Sequence, residues 1–155
     1  MPNTRVLNSK LRINGNRLWA RIEELALIGA TPAGGVHRLA LSATDSRARD
    51  WFQGQAEQIG LVVSIDGIGN MFARREGTDD RLLPVLLGSH LDSQPTGGRF
   101  DGPLGVLAAL EAIETLNDHE VTTPAPIEIV NWTNEEGARF PPAMMGSGVF
   151  SGRFN

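Results

Sequence analysis

Apolar positions recur at a helical period in the first part of the chain and then in short unbroken runs, and that change predicts the architecture. Leu18, Ile22, Leu25 and Ala26 share one helical face. Either Asn14 or Asn16 can cap the start of that helix, and the pattern has ended by Gly29. Thr31-Pro32-Ala33-Gly34-Gly35 breaks the period. A second helix then follows Ser42 or Thr44 as cap, with Ala48, Phe52, Ala56 and Ile59 on one face and Gly60 as its C-terminal stop. Residues 61–65 and 70–74 read as short strands around the turn dipeptide Asp66-Gly67, so they are expected to pair antiparallel.

From residue 82 the signal is that of an α/β sheet. Leu82-Leu83-Pro84-Val85-Leu86-Leu87 is apolar without alternation, which predicts a strand covered on both faces and delivers His90 to its C-terminal end. Pro103 suits the first turn of a helix continued by Leu104, Leu107, Leu110 or Glu111, Ile113 and Leu116. Asp101 falls just ahead of that helix, near its positive end. Residues 127–133 form a second sheet strand, and Glu135 and Glu136 emerge beyond it. Open α/β sheets hold ligands beyond the carboxyl ends of their strands, so these segments are expected to converge. Residues 146–152 read as an active-site loop or a helix start. The chain shows no internal repeat, low-complexity tract or interdomain linker.

Composition narrows the function. A chain of 155 residues, 41% hydrophobic, can bury one core and is expected to form one domain. Its net charge of −4, without Lys or Arg clusters interleaved with aromatics, argues against nucleic acid as a partner. The first eight residues lack the apolar run of a signal peptide, and no later stretch is long enough to span a bilayer, so the expectation is a soluble, cytoplasmic protein with no membrane partner. Zero cysteines removes disulfides, thiolate ligands and a cysteine nucleophile. Any metal chemistry then falls to His, Asp and Glu, which suit zinc, manganese, cobalt or nickel. Trp19, Trp51 and Trp132 are expected in the core or against the sheet, and His37 and His119 in solvated loops.

The candidate chemistry lies in Gly88-Ser89-His90-Leu91-Asp92-Ser93, Asp101 and the pair Glu135-Glu136. In an extended segment His90 and Asp92 share a face, so the Asp92 carboxylate can fix the imidazole tautomer from behind. Asp101 could bridge two metals through its two oxygens. Glu136 could complete the second metal's set, leaving Glu135 to take a proton from water and pass it to a leaving nitrogen. No Lys or Arg follows the Gly97–Gly105 glycines at phosphate-loop spacing, which argues against nucleotide binding.

These residues sit in longer blocks: Gly97-Gly-Arg-Phe-Asp-Gly-Pro-Leu-Gly-Val106, Trp132-Thr-Asn-Glu-Glu-Gly-Ala-Arg-Phe140 and Pro142-Ala-Met-Met-Gly-Ser-Gly-Val-Phe150. Asn16-Arg-Leu-Trp19, Gly34-Gly35 with Arg38-Leu39, and Gly69-Asn-Met-Phe72 accompany them. In all of these the chain resembles the hydantoinase/carbamoylase-type amidases of the M20 metallopeptidase clan, over nearly its whole length. The resemblance implies an α/β fold, the N-terminal part of an M20-like (phosphorylase/hydrolase-like) catalytic domain with a mixed sheet flanked by helices. It implies two divalent metal ions, with His90 on the first, Asp101 bridging, Glu136 on the second and Glu135 as general base. It also implies hydrolysis of a non-peptide carbon–nitrogen bond in an N-carbamoyl-L-amino acid or related small ureido acid. Allantoate hydrolysis is an alternative; an M20-type dipeptidase or aminoacylase fits the blocks less well.

Members of this family are much longer, with a further histidine for each metal, a lid-like dimerisation domain and the remaining catalytic-domain strands. Residues 1–155 are therefore expected to be the N-terminal portion of the catalytic domain of a homodimeric enzyme, inactive and marginally stable alone. The substrate-binding residues are not identified. A non-catalytic remnant, or one subunit of a split enzyme that binds a partner chain, is the alternative from another class.

Overall fold

The computed structural model describes residues 11–154. Helix α1 (Gly15–Ala26) starts where the Asn14 side chain accepts the Arg17 N–H, and α2 (Ala43–Gln58) where Ser42 accepts the Asp45 N–H. Each cap satisfies a donor that the first turn leaves without a partner. Strands β1 (Val62–Ile65) and β2 (Met71–Arg75) form the expected antiparallel pair. Then come β3 (Val85–His90), α3 (Pro103–Asp118), β4 (Ile127–Trp132) and the short α4 (Met145–Phe150).

The strands form one mixed four-stranded sheet in the order β1-β2-β4-β3, with β2 antiparallel and β3 parallel to β4. Side chains alternate across a strand, so Met71, Ala73, Ile127 and Ile129 all face one way. There they bury with Ile22 and Leu25 of α1, Ala48, Phe52 and Ala56 of α2, and Val106, Leu107, Leu110 and Ile113 of α3. On the opposite face Phe72 and Trp132 meet Phe150 of α4, with ring centroids 5.1 to 6.1 Å apart.

Two expectations change. Strand β3 is not covered on both faces: it is an edge strand, with Val85 52% and Leu87 36% exposed. Its unbroken apolar run reflects a hydrophobic edge, not burial. Trp19 is not a core residue; it lies on the surface against Phe100, with the Arg99 guanidinium 5.8 Å above its ring. Trp51 and Trp132 do pack against the core and the sheet as expected. His37 and His119 are exposed, His37 facing the Pro95 carbonyl and His119 the Thr115 carbonyl. Among the described residues no helix is long and apolar enough to cross a membrane.

Candidate metal centre

Parallel pairing of β3 with β4 sets the site. His90 is the last residue of β3 and lies in register with Trp132, the last residue of β4. The chain leaves both strands at the same level, so the turn carrying Glu135 and Glu136 rises beside His90. Asp101 comes from the loop between β3 and α3. The three segments therefore meet at the carboxyl edge of the sheet.

Close packing fixes the histidine. Gly102 precedes α3 with φ 80°, and a Cβ there would lie 2.5 Å from the His90 Cε1. Only glycine provides both that conformation and that approach. His90 is 5% exposed, and its Nδ1 lies 2.9 Å from the main-chain carbonyl of Asp92. A carbonyl only accepts, so Nδ1 carries the ring proton and Nε2 presents a lone pair. That lone pair faces Glu135 Oε2 at 3.3 Å and Asp101 Oδ1 at 4.0 Å.

The tautomer is thus held by the Asp92 carbonyl and not, as the sequence suggested, by its carboxylate. The carboxylate stands 3.6 Å from Nδ1 and instead accepts the N–H groups of Glu135 at 3.1 Å and Glu136 at 3.2 Å. Burial pushes the Asp92 carboxyl above the usual aspartate range, opposed by those two bonds and by His90. Asp92 therefore links the turn after β3 to the turn after β4.

Other side chains that sequence reasoning passed over shape the same loops. Asn134 adopts φ 53° and donates from Nδ2 to the Phe140 carbonyl at 2.6 Å, folding the turn back on itself. Asn70 accepts the Thr133 N–H at 3.0 Å and donates to the Gly146 carbonyl at 3.1 Å. Gln94 holds Glu136 Oε2 at 2.8 Å, away from His90. Arg38, 1% exposed, donates to the carbonyls of Leu25, Ile28 and Leu91, and burial pushes its guanidinium down to about 10. The blocks containing Asn134 and Asn70 stood out in the sequence, but nothing in the pattern distinguished these side chains from ordinary polar residues.

The donor set suits a divalent cation in its chemistry. Nε2 of His90 and the two carboxylates turn lone pairs on one another, and a cation between them would relieve that opposition. The coordination shell is not assembled: among the described residues no group of three or more His, Cys, Asp or Glu side chains has the spacing to hold a metal. The Asp101 side chain is 77% exposed, and Glu136 is engaged by Gln94. A cleft of about 580 Å³ lies to one side, between residues 31–35 and 96–100.

Residues 86–154 match the family model of Peptidase family M20/M25/M40. The chain is 54% identical over 141 residues to an N-carbamoyl-L-amino-acid amidohydrolase of Rhizobium meliloti, covering 91% of this chain and 34% of that protein. It is 36% identical over 145 residues to a ureidoglycolate hydrolase of Oryza sativa subsp. japonica, covering 94% of this chain and 30% of that protein. The crystal structure of a hydantoinase/carbamoylase family amidase from Burkholderia ambifaria superposes with a TM-score of 0.92 at 58% identity, over 93% of this chain and 36% of that one. The chain thus spans about a third of the length of the proteins it matches. Over about nine-tenths of its length the chain is thus similar in sequence and fold to part of the hydantoinase/carbamoylase family amidases, and its residues 86–154 carry the match to the M20/M25/M40 family.

Proposed function

We propose that the chain carries part of the site of a metal-dependent amidohydrolase, which cleaves the ureido carbon–nitrogen bond of an N-carbamoyl-L-amino acid or related small ureido acid. The observation that carries this is the meeting of the His90 Nε2 lone pair with Glu135 and Asp101 at the ends of parallel strands. The relatives from Rhizobium meliloti and Oryza sativa are named for hydrolysis of an N-carbamoyl amino acid and of ureidoglycolate, which supports the substrate class.

In this reading His90, Asp101 and Glu136 would hold divalent ions of the zinc, manganese, cobalt or nickel group. Such ions would supply Lewis acidity at the ureido carbonyl and make water a better nucleophile. Glu135 takes a proton from the attacking water and returns it to the departing amino nitrogen. The carbon–nitrogen bond breaks, the amino acid leaves, and the carbamate falls apart to carbon dioxide and ammonia. Asp92 holds the backbone of both glutamates while its carbonyl keeps His90 in the Nδ1–H form. The chain spans about a third of its relatives' length, and in this reading further ligands, the substrate-binding groups and a homodimeric partner belong to the complete protein.

The test assays the protein as it occurs in its source cells, with added manganese, cobalt, zinc or nickel. The panel holds N-carbamoyl-L- and D-amino acids, β-ureido acids, allantoate and dipeptides, and both the amino product and ammonia are quantified. Release of amino acid and ammonia in equal amounts from a carbamoyl substrate is expected. Turnover of dipeptides alone would move the protein to the peptidase side of the family.

A further inference from the structure

Arg38 is almost fully buried, yet its hydrogen-bond partners are main-chain carbonyls. Nη2 donates to Leu25 and Ile28, both at 2.8 Å, near the C-terminal end of α1, and Nη1 donates to Leu91 at 3.0 Å. A guanidinium buried in this way carries a desolvation cost that an apolar side chain of similar volume would avoid. What it offers in return is a planar fork of donors that reaches two separate segments at once.

The main chain of the same residue grips the same loop. The Arg38 N–H donates to Ser93 Oγ at 2.9 Å, and the Ser93 N–H donates to the Arg38 carbonyl at 2.8 Å. Farther along, Val36 and Gly97 exchange N–H to carbonyl bonds at 2.9 and 3.0 Å. His37 Nδ1 lies 2.8 Å from the Pro95 carbonyl. Residues 36–38 therefore run as a strap beside residues 91–97. The two residues that Arg38 holds, Leu91 and Ser93, flank Asp92.

We infer that Arg38, through its guanidinium and its pairing with Ser93, is a positioning residue: it fixes the loop at 91–93 so that Asp92 holds the His90 imidazole in one tautomer and the two glutamates in register. The role rests on the amidohydrolase reading for its consequence in catalysis but not for its geometry. A rotation of Asp92 would move both its carbonyl and its carboxylate, so one displacement would disturb His90, Glu135 and Glu136 together.

The experiment reads the ring nitrogens of His90 by 15N NMR and the affinity for cobalt(II) by titration. Four variants are compared with the parent protein: Arg38→Met, Arg38→Lys, Ser93→Ala and Arg17→Met. Lysine keeps the charge but loses the fork. Ser93→Ala removes the hydroxyl that accepts the Arg38 N–H and reaches the Val36 and Gln94 carbonyls, with little change in volume. Arg17→Met breaks the ion pair with Glu111 that joins α1 to α3, and reports general destabilisation.

Both Arg38 variants are expected to show His90 nitrogen shifts moving from the Nδ1–H form toward a mixture of tautomers, with metal affinity lower by on the order of 10-fold. Ser93→Ala should move in the same direction by less, and Arg17→Met should lower Tm while leaving the His90 shifts in place. Folded Arg38→Lys or Ser93→Ala with parental His90 shifts overturns the inference, as does an equal change in Arg17→Met. If neither Arg38 variant folds, Ser93→Ala decides. A complete parent protein, as it occurs in its source cells, that binds no cobalt(II) counts against the amidohydrolase reading, and the nitrogen shifts still decide the role of Arg38.

Discussion

Gly102 shows how narrowly one residue can set the site. A methyl group there would meet the His90 ring and the His90 carbonyl at 2.5 Å, and a backbone at φ 80°, ψ −63° costs any other residue on the order of 1–3 kcal/mol. Gly102→Ala is therefore expected to push the imidazole off its place and lower metal affinity at least ~10-fold. Calorimetric metal titration checks this, and an unchanged affinity in a folded variant would show that His90 tolerates the shift. Glu135→Gln tests the neighbouring role at the same scale. The amide keeps the shape but accepts no proton, so kcat should fall by about 10²- to 10⁴-fold with KM little changed. A variant that retained most of its kcat would remove Glu135 as the base.

At the scale of elements, α1 and α3 are joined by charges as well as by apolar packing. The Glu111 carboxylate is fully buried and accepts from Arg17 Nε at 2.6 Å, the Asn14 N–H at 2.7 Å and Thr115 Oγ1 at 3.0 Å. Burial alone would raise its pKa, but Arg17, Asn14 and Thr115 together hold it below the usual glutamate range. Its stabilisation is therefore present above the unfolded glutamate pKa of about 4.3 and is lost as the pH falls through the lower folded value. Glu111→Ala should cost about 3 kcal/mol at neutral pH, because it leaves the partly buried Arg17 without its main partner. Urea unfolding at pH 7 and pH 3 checks both statements: the gap between variant and parent should narrow in acid. The sequence left Leu110 and Glu111 open as the inward position, and the structure buries both. Helical period locates a face, but it does not reveal that an arginine from another helix neutralises an acid on it. For the same reason the capped helices, the antiparallel pair and the strand ends carrying His90 and Glu135 were legible from local pattern. The bonds of Arg38, Asn70 and Asn134 were not, because each joins segments far apart in the chain or depends on an exact backbone turn. Edge or centre was likewise illegible for β3, since an unbroken apolar run does not state how many neighbours a strand has.

For the whole molecule, the consequence of that edge is exposure of unpaired backbone groups along β3 beside apolar side chains. Val85 is 52% exposed, and across the sheet Phe150 is 56% exposed over Phe72 and Trp132. A strand in this state is satisfied by another strand, whether from elsewhere in a longer polypeptide or from a second copy. The 155-residue chain taken alone is therefore expected to self-associate, with a weight-average mass in sedimentation equilibrium that climbs above 16.7 kDa as concentration rises. Val85→Lys places a charge on the exposed edge, where burying it in a new strand pair is costly, and touches none of His90, Asp101, Glu135 or Glu136. It should hold the mass near the monomer value while leaving the far-UV spectrum and the His90 nitrogen shifts unchanged. Self-association that survives Val85→Lys but is lost in Phe150→Lys would assign the contact to the aromatic face of the sheet instead of its edge, and a parent chain that stays monomeric at high concentration would show that the β3 edge is protected.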